Sequence, residues 1–157
     1  MKNSNLKKYS SFFVVFLTVL VVDQVTKWLA SIFFVEESAV VIPNFLSFAY
    51  TKNTGAAWSM FQNNSTMLGI LGLLVLLLFF VSRKNLKLEE RGNQVMYGLI
   101  CAGITGNIID RLIFGSVVDF IDVQIGQYHW PIFNIADSAI CVGVLLYFLF
   151  TFYPKTK

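Results

Sequence analysis

The sequence predicts a polytopic membrane protein, all-α in its frame, with four transmembrane helices, both termini cytoplasmic and a small extracytoplasmic β-rich segment after helix one. Three observations lead there. Of the 157 residues, 56% are hydrophobic and 13% charged, against roughly 25% charged in soluble domains. Thirty residues without a charge separate Lys52 from Arg83, and eighteen separate Arg91 from Asp110; each stretch suits a spanning helix of about 20 residues. Nine of the twelve Lys and Arg fall before the first apolar run, between the second and third, or after the fourth. Short cytoplasmic loops are enriched in these residues, so the net charge of +3 reports topology, and no nucleic-acid patch stands out in it.

The expected helices cover approximately 11–30, 67–81, 93–113 and 133–153, within a single membrane-embedded unit spanning 1–157; no repeat or low-complexity linker divides the chain. The basic start and apolar run of the first helix resemble a secretory signal. No small-residue cleavage site follows, and Asp23 and Lys27 interrupt the run, so the helix is expected to be retained. Fourteen steps from Tyr9 put Asp23 about 21 Å along a core about 30 Å thick. Lys27, at i+4, is placed either to pair with Asp23 or to snorkel outward; a local ion pair and a direct role are both open.

The long polar segment from Ile32 to Ser65 follows. Leu46, Phe48 and Tyr50 alternate with Ser47, Ala49 and Thr51, a period-two pattern that suits strands on a membrane surface. It ends in Asn53-Thr-Gly-Ala-Ala-Trp58, where Gly55 permits a positive φ or a close backbone approach and the Asn53 amide can both donate and accept. A simple turn accounts for the same residues. The second helix carries no ionisable group and reads as scaffold, followed by the charged, short Ser82–Asn93 connection. In the third, Ala102, Gly103 and Gly106 are small residues that allow close helix packing in lipid. Cys101 and Cys141 read as small apolar packing residues.

Four of the five aspartates lie between Gly106 and Asp137. Asn107, Asp110 and Arg111 share a helical face near the outer end of the third helix, and a count along the helices raises Asp23, Asp110 and Asp137 to a common depth. An ionisable residue at that depth is a functional hypothesis by default. Asp23 has Lys27 one turn away and Asp110 has Arg111 beside it, and a nearby cation favours the ionised form, so these read as structural carboxylates. Asp119, Asp122 and Asp137 lack such a neighbour in sequence. If 117–123 is extended, Asp119 and Asp122 point to opposite faces; geometry alone leaves open which faces Asp137. Asn134, three residues before Asp137, matches an N-terminal cap, yet Asn53, Asn107 and Asn134 also gather with the acids at one end of the bundle, as peptide recognition requires.

His129 reads as a surface residue, joined by no motif to a serine or cysteine nucleophile, and no HExxH or clustered Cys/His spacing points to a metal. A proton-coupled transporter also uses intramembrane acids, but near the midplane and on broken helices; a non-catalytic assembly subunit is the other competing class.

The residues resemble a known family, the bacterial lipoprotein signal peptidases (signal peptidase II), over nearly the whole chain. Asp23-Gln-Val-Thr-Lys27 is similar to the family's first motif and Asn53-Thr-Gly-Ala-Ala-Trp58 to its second. Gly103 with Gly106-Asn107-Ile-Ile-Asp110-Arg111 resembles the third, Val117-Val-Asp-Phe120 the fourth and Phe133-Asn-Ile-Ala-Asp-Ser138 the fifth. The resemblance implies an aspartic endopeptidase of the bacterial cytoplasmic membrane whose catalytic pair is Asp119 and Asp137, choosing Asp119 over Asp122. It implies that Asn53, Gly103, Asn107, Arg111 and Asn134 support the site or hold substrate, and that Asp23 and Lys27 stabilise the first helix and the nearby loop. The implied partners are diacylglyceryl-modified prolipoproteins and membrane lipids, cut just before the lipid-modified cysteine near the outer face. No cofactor or metal, no nucleic acid and a monomeric state are expected. Two carboxylates that share one proton can activate water and polarise a carbonyl without a metal.

Overall fold

The computed structural model describes residues 8–152. Lys2, Lys7, Lys155 and Lys157, which contribute to the topology argument, lie outside the described residues, as does Tyr153 at the expected end of the fourth helix. Helices α1 (Ser10–Phe33), α2 (Ser65–Ser82), α3 (Arg91–Ile113) and α4 (Ile135–Phe152) lie within three residues of the expected ranges. All four are long and apolar enough to cross a membrane. Their outward faces carry large apolar side chains, such as Leu17 and Val21 on α1, Leu77 and Leu78 on α2 and Leu145 on α4, as a helix set in lipid requires.

Helix α3 is the hub. Half of its most apolar window is buried, against 11–17% for the other three, and it packs on α1, α2 and α4. Without a hydrophobic drive between helices in lipid, close van der Waals packing holds a bundle together, and α3 supplies the small surfaces for it. A Cβ at Gly103 would run into the Ala136 carbonyl oxygen of α4, and one at Gly106 into the Asp23 carboxylate of α1. The glycines set how near α1 and α4 come to the polar end of α3.

At that end sits a four-stranded antiparallel sheet in the order β1-β2-β3-β4, built from β1 (Ala39–Ile42), β2 (Leu46–Asn53), β3 (Val117–Ile125) and β4 (Tyr128–His129). The expected β segment after helix one is therefore half of the sheet. The other half comes from the chain between α3 and α4, because β2 needs a partner for its second edge and β3 supplies it, with Thr51 opposite Asp119 and Ser47 opposite Asp122. The β2 pattern predicts one buried and one exposed face. Instead residues 46–50 are all half-buried; Phe48 stacks on Phe34 and meets Phe120 at a tilt, while the alternate residues are covered too. Gly115, at φ +72°, takes the left-handed conformation that glycine accepts without strain and turns the chain from α3 into β3.

Candidate active site

Strand β3 and the first turn of α4 bring Asp119 and Asp137 to one cavity of about 600 Å3, lined also by Asn53, Asn107 and Arg111. The start of α4 is a capping box. Asn134 Oδ1 accepts from the Asp137 backbone N–H at 2.9 Å, and Asp137 Oδ2 accepts from the Asn134 N–H at 3.2 Å. Such reciprocal bonds satisfy two otherwise orphaned donors. Capping and site-building are thus one arrangement, because the Asn134 Nδ2 donates to Asp119 Oδ1 at 2.6 Å. A single amide ties both acids to the helix start.

Each remaining carboxylate oxygen also has an asparagine donor. Asn53 Nδ2 donates to Asp119 Oδ2 at 2.9 Å, and its own Oδ1 accepts from Gly55 N–H at 2.9 Å, which fixes the amide's orientation. Asn107 Nδ2 donates to Asp137 Oδ1 at 2.8 Å. The expected grouping of Asn53, Asn107 and Asn134 with the acids is what the fold produces. Burial raises the Asp119 carboxyl to about 6, helped by the charge of Asp137 and opposed by the bonds from Asn53 and Asn134.

Beneath this pair lies a second polar layer. Lys27 Nζ is 2.9 Å from Asp23 Oδ2, 2.9 Å from Asp110 Oδ2 and 2.9 Å from Asn107 Oδ1. Lys27 is 3% exposed, so it pairs inward and does not snorkel. Asp23 Oδ1 also accepts from the Ala136 N–H at 2.8 Å, which meets the expectation that α1, α3 and α4 raise acids to one level. The pairing of Asp110 with Arg111 requires a correction. Asp110 faces Lys27, while the Arg111 guanidinium donates to the Gly55 carbonyl at 3.1 Å, because adjacent helical residues point about 100° apart. Gly55 itself has no positive φ; its role is close approach, since a Cβ there would strike the Met60 carbonyl.

Asp122 takes different partners, Ser47 Oγ at 3.1 Å and His129 Nδ1 at 3.2 Å. It borders an outer polar groove that Asp119 also touches, but not the cavity that holds Asp137. His129 is exposed, as expected, and stands on β4. Among the described residues, no three His, Cys, Asp or Glu side chains form a group able to hold a metal.

Three residues have no role in the sequence reading. Gln24 donates to Asp23 Oδ2 and Asp110 Oδ1 at 3.2 and 3.1 Å; its signal was its place beside Asp23, the one acid of its helix. Trp58 and Trp130 meet edge to face, with ring centroids 5.5 Å apart, and both line the cavity. Trp58 has φ 54°, a left-handed conformation that costs a bulky residue about 1 kcal/mol or more.

The family model for signal peptidase (SPase) II matches residues 15–153, which include every one of these polar residues. The chain belongs to the signal peptidase II family. A lipoprotein signal peptidase of Thermodesulfovibrio yellowstonii is 42% identical over 143 residues, covering 91% of this chain and 95% of that protein. One from Geobacillus kaustophilus is 38% identical over 139 residues, covering 88% and 90%. A solved structure described as a bacterial membrane enzyme superposes with a TM-score of 0.82 at 35% identity, over 94% of this chain and 93% of that one. Signal peptidase II membership makes the chain a membrane peptidase, and its four apolar helices make it multi-pass.

Proposed function

We propose that this signal peptidase II cleaves diacylglyceryl-modified prolipoproteins just before the lipid-modified cysteine, with Asp119 and Asp137 acting on water as an aspartic pair. The observation that carries this reading is the shared asparagine. Asn134 bonds to Asp119 with one end of its amide and caps the helix of Asp137 with the other, so the two acids are held as one unit in a water-accessible cavity. Two neighbouring carboxyls titrate as a pair and readily hold one proton between them. The carboxylate member takes a proton from water as the water oxygen attacks the scissile carbonyl carbon. The protonated member hydrogen-bonds to the carbonyl oxygen as negative charge develops there. Collapse of the tetrahedral species breaks the C–N bond and delivers a proton to the leaving nitrogen. The products are a signal peptide with a new carboxylate and a lipidated cysteine with a free α-amine. Asn53, Asn107 and Arg111 position these groups or the substrate backbone, and no metal or cofactor enters the scheme.

The basic connection of Arg83, Lys84, Lys87 and Arg91 lies at the end of the bundle away from the sheet, which supports cytoplasmic termini and an acid pair near the outer face of the cytoplasmic membrane. Substrate lipid lies between helices, and the enzyme works as a monomer. The test is cleavage of one diacylglyceryl-modified prolipoprotein peptide in detergent, with chelator present, by wild type and by Asp119→Asn, Asp137→Asn and Asp122→Asn. The reading requires that the first two lose at least about 1,000-fold while Asp122→Asn stays within about tenfold. An essential Asp122 with a dispensable Asp119 would overturn the assignment, and a wild type that never cleaves would overturn the peptidase reading.

A further inference from the structure

The buried cluster beneath the acid pair sets one ammonium against two carboxylates and an amide oxygen. An ammonium has three donors and no acceptor. The Lys27 Nζ lies 2.9 Å from oxygens of Asp23, Asp110 and Asn107. The first two contacts are ion pairs, and the one to Asp110 Oδ2 lacks hydrogen-bond geometry. The third does something else, because a primary amide can be turned end for end with no change of shape. Beside a lysine, Asn107 must present its carbonyl oxygen. The NH2 end is then forced onto Asp137 Oδ1, which it meets at 2.8 Å. Asn134 Nδ2, 3.4 Å from the same Asn107 oxygen, is a second donor that favours this orientation.

We propose that Lys27 is a positioning residue of the reaction. It locks the Asn107 amide so that a donor always faces Asp137 Oδ1, which holds that carboxyl in one orientation for the reaction. With the Asn134 N–H on Asp137 Oδ2, Asp137 receives one donor on each oxygen, as Asp119 does from Asn134 and Asn53. A flipped Asn107 would instead aim its carbonyl at Asp137 and demand a proton there. This inference rests on the aspartic reading above. The charged groups around Asp137 and Lys27 are Asp23 of α1, Asp110 and Arg111 of α3 and Asp119 of β3.

Two variants test it in the full chain, with kcat and KM followed from pH 5 to 8 on the same lipidated peptide. Asn107→Asp keeps the shape of the side chain and an oxygen for Lys27, but sets an acceptor against Asp137. We expect kcat to fall at least 100-fold at pH 8 and to recover at least tenfold toward pH 5, where the new carboxyl regains a proton to donate, with KM within about threefold. Lys27→Met combined with Asp110→Asn keeps the cluster's net charge and removes the donor to Asn107. It should lose at least tenfold more kcat than Asp110→Asn alone. A pH profile for Asn107→Asp parallel to wild type overturns the inference. So does a folded double variant that matches Asp110→Asn; should the double variant not fold, the Asn107→Asp profile decides. If wild type does not cleave, the peptidase reading fails; if wild type cleaves and the profiles are parallel, only the role of Lys27 fails.

Discussion

Asn134 and Asp119 lie 2.6 Å apart, amide nitrogen to carboxylate oxygen, although one begins a membrane helix and the other sits in a strand fifteen residues earlier. The contact makes the cap of α4 and the chemistry of the cavity a single structural decision. Asn134 is fully buried, so its amide has no water to replace a lost partner.

Asn134→Leu removes that amide while keeping the number and branching of the side-chain heavy atoms. Loss of an N-cap costs about 1 kcal/mol, and an unpaired buried acceptor on Asp119 adds a comparable amount. The expected outcome is a chain that still folds, with a thermal midpoint in detergent several degrees lower, and cleavage reduced at least about 100-fold. Near-normal cleavage would mean that the acids do not need a common anchor.

Asp119 also makes a prediction about pH. Its carboxyl is raised from 3.8 to about 6, so the folded state binds its proton more tightly than the unfolded state does. The stability contribution of this group is present below about pH 4 and is lost as pH rises through about 6, a change of about 3 kcal/mol at 1.36 kcal/mol per unit. Denaturant titration in micelles should therefore give wild type a downward slope between pH 4 and 7 that Asp119→Asn lacks. Equal slopes in the two proteins would show that the burial penalty on Asp119 is relieved by other groups.

The sequence carried the four spans plainly, because thirty charge-free residues between Lys52 and Arg83 admit few other structures. It also carried the gathering of acids and asparagines, since helical rise converts residue counts into depth. Pairing of β2 with β3 was less legible: the partners Asn53 and Val117 are far apart in sequence, and nothing local in either strand names the other. The partner of Asp110 was less legible for a related reason. Adjacency in sequence suggested Arg111, whereas helix geometry turns Arg111 toward the loop of Gly55 and leaves Asp110 to Lys27. The Trp58–Trp130 contact depends on a left-handed backbone at Trp58 that no pattern of side chains announces.

That contact closes one side of the cavity, so its loss should act on substrate more than on folding. Trp58 is 61% and Trp130 46% exposed, and truncating either to alanine is expected to change the thermal midpoint by little while raising KM about tenfold. The double variant should show a coupling of about 0.5–1.5 kcal/mol in kcat/KM, the range for an edge-to-face aromatic pair. Strict additivity would mean that the rings contribute independently.

Gly106 offers the sharpest packing test, because its α-carbon faces the Asp23 carboxylate across the contact between α3 and α1. Asp23 cannot simply swing aside, since it holds Lys27 Nζ at 2.9 Å and the Ala136 N–H at 2.8 Å. Gly106→Ala adds one methyl group and must either push α1 away or break one of those bonds. Overpacking of this kind costs about 1–3 kcal/mol, and a broken buried ion pair adds to it. The variant should show a lower thermal midpoint than wild type and lose cleavage with it. By contrast, Gly115→Ala meets no neighbour within 4 Å but sits at φ +72°, so its cost is confined to backbone strain, about 1 kcal/mol. If the two substitutions proved equally mild, α1 and α3 would have slack at this contact, and the tight placement of the Lys27 cluster against α3 would need another explanation.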